Sequence, residues 1–210
     1  MSDHDLNWKY VDEAVVESEG IARAAQQSLE LGIDAVSPAV GAQLAVMAAA
    51  VRAESVIEVG TGVGVSGLWM LQTVPGVHLT SIDAETEYQQ HARENFADAG
   101  IPPARIRLIA GRAAEVLPRM NEASYDLVFV DADPAAVIEY VEHGLRLAKP
   151  GGTVLVAHAL WKGRVADPAR RDEAATAFRT LIAELAASSA VATAVSPAGD
   201  GLLQIVKLGV

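Results

Sequence analysis

The run Val56-Ile57-Glu58-Val59-Gly60-Thr61-Gly62-Val63-Gly64-Val65-Ser66, followed further on by Ser81-Ile82-Asp83, constrains this chain more than any other feature. A β-branched apolar segment ends in glycines and runs straight into a helical pattern, and the next apolar segment ends in an acid. In an open α/β sheet this arrangement makes a nucleoside-binding crevice. The first strand aims its carboxyl end at the ligand, the glycines admit close approach of the backbone, and the acid at the tip of the second strand can take both ribose hydroxyls.

Glycine spacing alone does not identify the nucleoside. Gly62, Gly64 and Gly67 satisfy G-x-G-x-x-G, and Asp83 follows at about the 20-residue distance that a dinucleotide fingerprint asks. Register is more telling. Glycine begins at Gly60, and Glu58 stands two residues earlier, where its carboxylate is expected to project into the crevice. Beside a pyrophosphate that charge would oppose the helix N-terminus that holds the anion. Toward the amino group and sulfonium of S-adenosylmethionine it is attractive. An NAD(P)-dependent oxidoreductase is the weaker alternative, because its short-chain variant also needs Tyr-x-x-x-Lys. None of Tyr10, Tyr88, Tyr125 or Tyr140 has a lysine four residues on.

From Ser55 onward apolar β-branched runs alternate with helical patterns, the signature of a parallel sheet with crossover helices on both faces. The pattern predicts strands at 55–60, 78–83, 106–111, 125–131, 152–158, 190–196 and 202–208. Helices are predicted at 64–73, 85–99, 112–121, 135–148 and 171–187, with a further pair at 11–31 and 38–51. Gly100-Ile101-Pro102-Pro103 and Lys149-Pro150-Gly151-Gly152 act as helix stops. Ser196-Pro197-Ala198-Gly199-Asp200-Gly201 is too short for a crossover helix, so the last two strands should form an antiparallel hairpin.

The 210 residues suffice for one well-packed α/β domain. With 16 Lys+Arg against 27 Asp+Glu, the formal charge of −11 repels phosphate backbones and anionic membranes, so neither nucleic acid nor a membrane is an expected partner. The basic side chains Arg105, Arg107, Arg112 and Arg119 are interleaved with apolar residues and form no stripe. Zero cysteines excludes a disulfide framework and a thiolate metal site. Met1 to Tyr10 is polar and acidic, unlike a secretory signal, and no apolar run approaches the ~20 residues of a membrane span. A cytoplasmic location is the expectation.

Glu58 through Ser66 and Asp83, with Gly111-Arg112-Ala113, Val130-Asp131-Ala132-Asp133, Lys149-Pro150-Gly151-Gly152 and the stretch from Leu160 to Pro168, occur in an order and spacing that resemble the class I S-adenosylmethionine-dependent methyltransferases. Within that class the chain is similar to the small O-methyltransferases related to the catechol and caffeoyl-CoA enzymes, from about Val36 to the C-terminus. The resemblance implies a single Rossmann-like domain over 1–210, with a seven-stranded, mostly parallel sheet and a C-terminal antiparallel hairpin. Residues 1–52 would form a helical lid or dimer segment and 53–210 the core. It further implies a homodimer acting on a small-molecule acceptor.

Site residues follow in the same terms. Glu58 would serve the methionine amino end of the cofactor, directly or by orienting the loop Gly60, Thr61 and Gly62. Ser66, in the first helical turn, would bond the ligand carboxylate. Asp83 would hold the ribose, with Ala84 beside it, and it can also cap the helix beginning near Glu85. The backbone of Ala113 would meet the adenine edge, and Val36-Ser37-Pro38 resembles the segment that closes over the methionine end.

Methyl transfer to oxygen requires alignment of the acceptor and removal of its proton. In the catechol and caffeoyl-CoA relatives a divalent metal binds the acceptor oxygens, held by the first aspartate of Val-Asp-Ala-Asp-Lys and by an Asp-Asn pair after the fifth strand. The lysine is the general base. Here Asp131 matches that aspartate, Pro134 takes the lysine position, and Ala157-His158 replaces Asp-Asn. Hard cations want several oxygens, so no tight Mg²⁺ site is expected. His158 beside Asp131 can serve instead as general base or hold a softer ion such as Zn²⁺. Against this stands a plainer role for His158, as a hydrogen-bonded residue at a strand end. Trp161, Lys162 and Arg164 are expected in the loop after the fifth strand, over the mouth of the site, where they would contact the acceptor; the alternative for Trp161 is to pack the loop down. A cofactor-binding homologue that has lost transfer activity is the second reading.

Overall fold

A computed structural model describes residues 3–209; Met1, Ser2 and Val210 lie outside it. Three helices, α1 (Asp3–Ala14), α2 (Glu19–Glu30) and α3 (Pro38–Ala50), precede the first strand. Seven strands follow: β1 (Ser55–Val59), β2 (His78–Asp83), β3 (Ile106–Ala110), β4 (Tyr125–Val130), β5 (Ala148–Val156), β6 (Val191–Ser196) and β7 (Leu202–Lys207). Between them run α4 (Val65–Thr73), α5 (Thr86–Asp98), α6 (Ala113–Val116), α7 (Val137–Leu147) and α8 (Glu173–Ala187). The sheet order is β3-β2-β1-β4-β5-β7-β6, with β1 to β5 parallel and β7 antiparallel to both β5 and β6. The terminal hairpin is therefore present as expected.

Alternation along each central strand divides the core. Val56, Leu127, Phe129 and Leu155 face one side, with α2 to α5, while Ile57, Val128, Val154 and Val156 face the other, with α7 and α8. All eight are at most 1% exposed, so both faces are covered, which explains why these strands read as continuous apolar runs. The chain moves from β1 outward to β2 and β3, then returns to β4 on the opposite side of β1. Their carboxyl ends diverge at this switch point and leave a crevice.

Several boundaries differ from the pattern. The expected helix 11–31 is two helices, because Ser18 accepts the Ile21 N–H and starts α2 afresh. The expected helix 112–121 is a single turn, α6, followed by a 3₁₀ turn at Leu117–Arg119. Pro118 lacks the N–H that a longer α-helix needs. The strand expected from 152 begins at Ala148, with an irregularity in its pairing to β4, so the Lys149-Pro150-Gly151-Gly152 stop lies inside β5.

Candidate functional site

One residue beyond each strand, the ladder carries on into the crevice. Gly60 donates to the Ile82 carbonyl, Asp131 to Val59, Gly111 to Asp83 and Ala157 to Val130, at 2.8–3.0 Å. Gly60, Asp83, Gly111, Asp131 and Ala157 thus emerge along one edge of the sheet. Gly60 has φ +96°, and a Cβ there would lie 1.8 Å from the Asp131 carbonyl oxygen. Only glycine lets the ends of β1 and β4 come this close. Gly67 has a different reason, since a Cβ would lie 2.9 Å from both Leu79 and Phe96. The third glycine of the apparent dinucleotide pattern is a packing residue.

A cavity of about 490 Å³ opens over this edge, lined among others by Val36, Gly60, Thr61, Gly62, Asp83, Ala84, Ala113 and Asp131. Asp83 Oδ2 accepts the N–H groups of Thr61 (2.8 Å) and Gly62 (3.0 Å), and Oδ1 accepts that of Glu85 (2.9 Å). The carboxylate holds the glycine loop in place and makes a local turn ahead of α5, whose N-cap is Glu85. Ionised, it still has acceptor capacity toward the cavity.

Glu58 is placed differently from its expectation. Side chains of a strand leave by the two faces of the sheet and not by its end. Glu58 shares the face of Val56, beneath α4, is fully buried and does not line the cavity. It accepts the hydroxyls of Ser66 (2.5 Å) and Ser81 (2.6 Å), and Thr61 Oγ1 lies 2.7 Å from Ser81 Oγ. Of its two expected roles the geometry fits the second, since it ties β2, the glycine loop and α4 together. Burial is the main influence on its carboxyl and raises it to about 7, against the lowering pull of the two serines. Ser66 reaches the cavity wall, but its hydroxyl proton points at Glu58 and is not offered to a ligand carboxylate. Ser37 likewise does not line the large cavity; its hydroxyl accepts from Val40 and caps α3.

A second cavity, about 180 Å³, adjoins the first and is lined by Val36, Ser37, His158 and Asp200 among others, with Asp34 common to both. His158 stands between two acids: Nε2 is 3.4 Å from Asp131 Oδ1 and Nδ1 is 3.5 Å from Asp200 Oδ2. Burial raises Asp131 to about 6, with His158 opposing and Asp34 adding to the rise. Asp34 pairs with Lys162 Nζ at 2.8 Å, which holds its carboxyl below the usual range. Trp161 packs against Phe178, with ring centroids 6.4 Å apart, so it holds the loop down. Asp133 accepts the Ala135 N–H and starts a 3₁₀ turn at Pro134–Ala136. Among the described residues no group of three His, Cys, Asp or Glu side chains is arranged to hold a metal. Ala157 offers no ligand atom, and Asp131 with His158 does not reproduce the oxygen-rich set of the metal-dependent relatives.

Asp34 and Asp200 were missed by sequence reasoning. Asp200 sits in a Gly-Asp-Gly hairpin loop and reads as a turn residue. Asp34 lies in the α2–α3 loop beside the Val36-Ser37-Pro38 segment, with no motif of its own.

Glycine loop, acid at the tip of β2, switch-point cavity and terminal hairpin define an α/β fold of the nucleoside-binding class, with a smaller cavity beside the large one. Comparison with known proteins sharpens the class. Residues 12–208 match the family described as O-methyltransferase. A probable O-methyltransferase of Mycobacterium tuberculosis is 45% identical over 202 residues, covering 95% of this chain and 90% of that protein. The crystal structure of the O-methyltransferase TomG of Streptomyces achromogenes, in complex with S-adenosylmethionine, is 29% identical, with a TM-score of 0.87 and full coverage of both chains. A Corynebacterium glutamicum protein of solved structure is 28% identical, with a TM-score of 0.91, and covers 100% of this chain and 99% of that one. This chain belongs to the O-methyltransferase family. No helix among the described residues is long and apolar enough to cross a membrane.

Proposed function

We propose that this protein transfers the methyl group of S-adenosylmethionine to a hydroxyl of a small molecule. The observation that carries the reading is the joint placement of the Asp83-bonded glycine loop and the Asp131–His158 pair on the walls of adjoining cavities. The large cavity suits the cofactor. Asp83, with Ala84, would hold the ribose; Gly60, Thr61 and Gly62 would let the backbone approach; Ala113 would meet the adenine edge; and Val36 would close the methionine end. Glu58 and Ser37 act behind this wall, and Ser66 stands in it with its hydroxyl turned to Glu58. Glu58 and Ser66 fix the loop to α4, and Ser37 starts α3.

When bound, the cofactor supplies an electrophilic methyl carbon on a sulfonium. The chain's own task is to hold an acceptor hydroxyl in line and accept its proton. His158 is the general base, and Asp131, at the boundary of the two cavities, stabilises the imidazolium that forms. No metal-dependent step is invoked, because Pro134 and Ala157 leave Asp131 without the partners such a site needs. Segment 1–52 acts as lid or dimer segment beside core 53–210, and the protein works as a cytoplasmic homodimer, readings supported by the resemblance. The test is release of S-adenosylhomocysteine from S-adenosylmethionine across a panel of small hydroxylated acceptors, in EDTA and in Mg²⁺. Turnover in EDTA with at least one acceptor is expected; turnover that requires Mg²⁺ would contradict the metal-independent reading. The altered acceptor half, Pro134 with Ala157-His158, favours one rival, a homologue that binds cofactor and no longer transfers methyl. Cofactor binding without turnover on any acceptor would favour it.

A further inference from the structure

Among the described residues four buried side-chain polar atoms lack a hydrogen-bond partner, and two of them, His158 Nδ1 and Asp200 Oδ2, face each other at 3.5 Å. Buried polar groups are nearly always satisfied, so two orphans aimed at each other mark a contact that closes with a small movement. Catalytic hydrogen bonds in ligand-free sites are often long and tighten only when the site is filled.

The surrounding backbone holds the two residues in register. His158 has φ +55°, an uncommon conformation for a side chain of this size. Leu160 donates to the Asp200 carbonyl at 2.9 Å, Ala159 to Gly201 at 3.0 Å, and the Lys162 N–H to Asp200 Oδ1 at 2.5 Å. The β6–β7 hairpin is thereby stitched to the loop after β5, with Oδ1 of Asp200 occupied and Oδ2 left for the imidazole. Both side chains are about four-fifths buried, each with 20% of its area exposed.

We infer that Asp200 is a positioning residue for His158: it accepts the Nδ1–H, fixes the ring and its tautomer, and leaves the Nε2 lone pair directed at the boundary of the two cavities. This rests on the base role given to His158 above. An acceptor hydroxyl at that boundary donates to Nε2; its O–H bond breaks, the N–H bond forms, and the electron pair stays on the oxygen. The resulting imidazolium lies between Asp131 and Asp200. Replacing the Asp-Asn pair by Ala157-His158 thus brings in a base whose partner is the turn of the terminal hairpin, which other sequence motifs give no reason to single out.

The test is ¹⁵N NMR of protein labelled at histidine, with S-adenosylhomocysteine bound, at a pH where the neutral ring is observed. His158 is assigned by its loss in His158→Gln, among the five histidines of the chain. Wild-type protein is expected to show the Nδ1–H tautomer at His158. In Asp200→Asn the amide retains Oδ1 for the Lys162 N–H and presents a donor to Nδ1, so the ring should invert to the Nε2–H tautomer, while S-adenosylhomocysteine affinity, measured calorimetrically, changes less than about threefold. An Nε2–H ring in the wild type, which needs no variant, or an unchanged ring in Asp200→Asn would overturn the inference. Failure to bind S-adenosylhomocysteine at all would instead refute the proposed function.

Discussion

The two ends of the site are built on different principles. At the glycine-loop end the carboxylates are partnered and the backbone is close-packed: Asp83 takes three backbone N–H groups, Glu58 takes two hydroxyls, and Gly60 is pressed against the Asp131 carbonyl. At the His158 end the separations are 3.4 and 3.5 Å, two facing atoms are unsatisfied, and the groups come from the end of β4 and from three further connections: the α2–α3 loop, the loop after β5 and the β6–β7 turn. The first end is over-determined by the sheet. The second is free to vary, because loops carried by a rigid scaffold tolerate substitution that strand ends do not.

The sharpest way to break this contrast is at its rigid end. Gly60→Ala places a methyl group against backbone that cannot move, at a positive φ, and should cost at least about 4 kcal/mol, read as a lowered denaturation midpoint. Survival with wild-type stability would show that β1 and β4 can separate. At the flexible end, His158→Gln should lower methyl transfer about 10³-fold, about 4 kcal/mol in the barrier, with cofactor affinity and melting temperature nearly unchanged. Loss of cofactor binding instead would merge the two ends into one structural unit.

Glu58 gives the contrast a pH signature. Its carboxyl is raised to about 7 in the folded protein from an ordinary 4.5, so between these values the native state holds a proton that the unfolded chain has released. Stability should therefore fall as pH rises from about 4.5 to 7, by up to roughly 3 kcal/mol, and stay reduced above that window. Glu58→Gln should flatten this slope in denaturant titrations run across the range. The smallest effect belongs to the Asp34–Lys162 pair, whose side chains are 65% and 66% exposed. Lys162→Met should leave stability nearly unchanged, and any change in turnover should fall on the acceptor KM and not on cofactor affinity.

What the sequence made legible follows the same division. Strand periodicity, glycine placement and Asp83 are local signals, and they placed the sheet, the terminal hairpin and the cavity that the fold builds at its switch point. Glu58 was recognised as important, yet its direction was misjudged, because strand alternation sends it under α4 and only the pairing of Glu58 with Ser81 across β1 and β2 shows what it meets. The split of 11–31 was signalled by Ser18, and the shortness of α6 by Pro118, both local cues outweighed by longer helical patterns. Asp34 and Asp200 had no such cue, since their approach to Lys162 and His158 joins segments 128 and 42 residues apart.

The most direct test of the central claim is calorimetric titration with S-adenosylhomocysteine and with NAD⁺, each with and without Mg²⁺, on the wild-type protein and on Asp83→Ala. Micromolar S-adenosylhomocysteine binding is expected, indifferent to Mg²⁺ and weakened at least about 100-fold in Asp83→Ala, which loses the proposed ribose contacts and the loop bonds together. Binding of NAD⁺ without S-adenosylhomocysteine, or full S-adenosylhomocysteine affinity in Asp83→Ala, would contradict it.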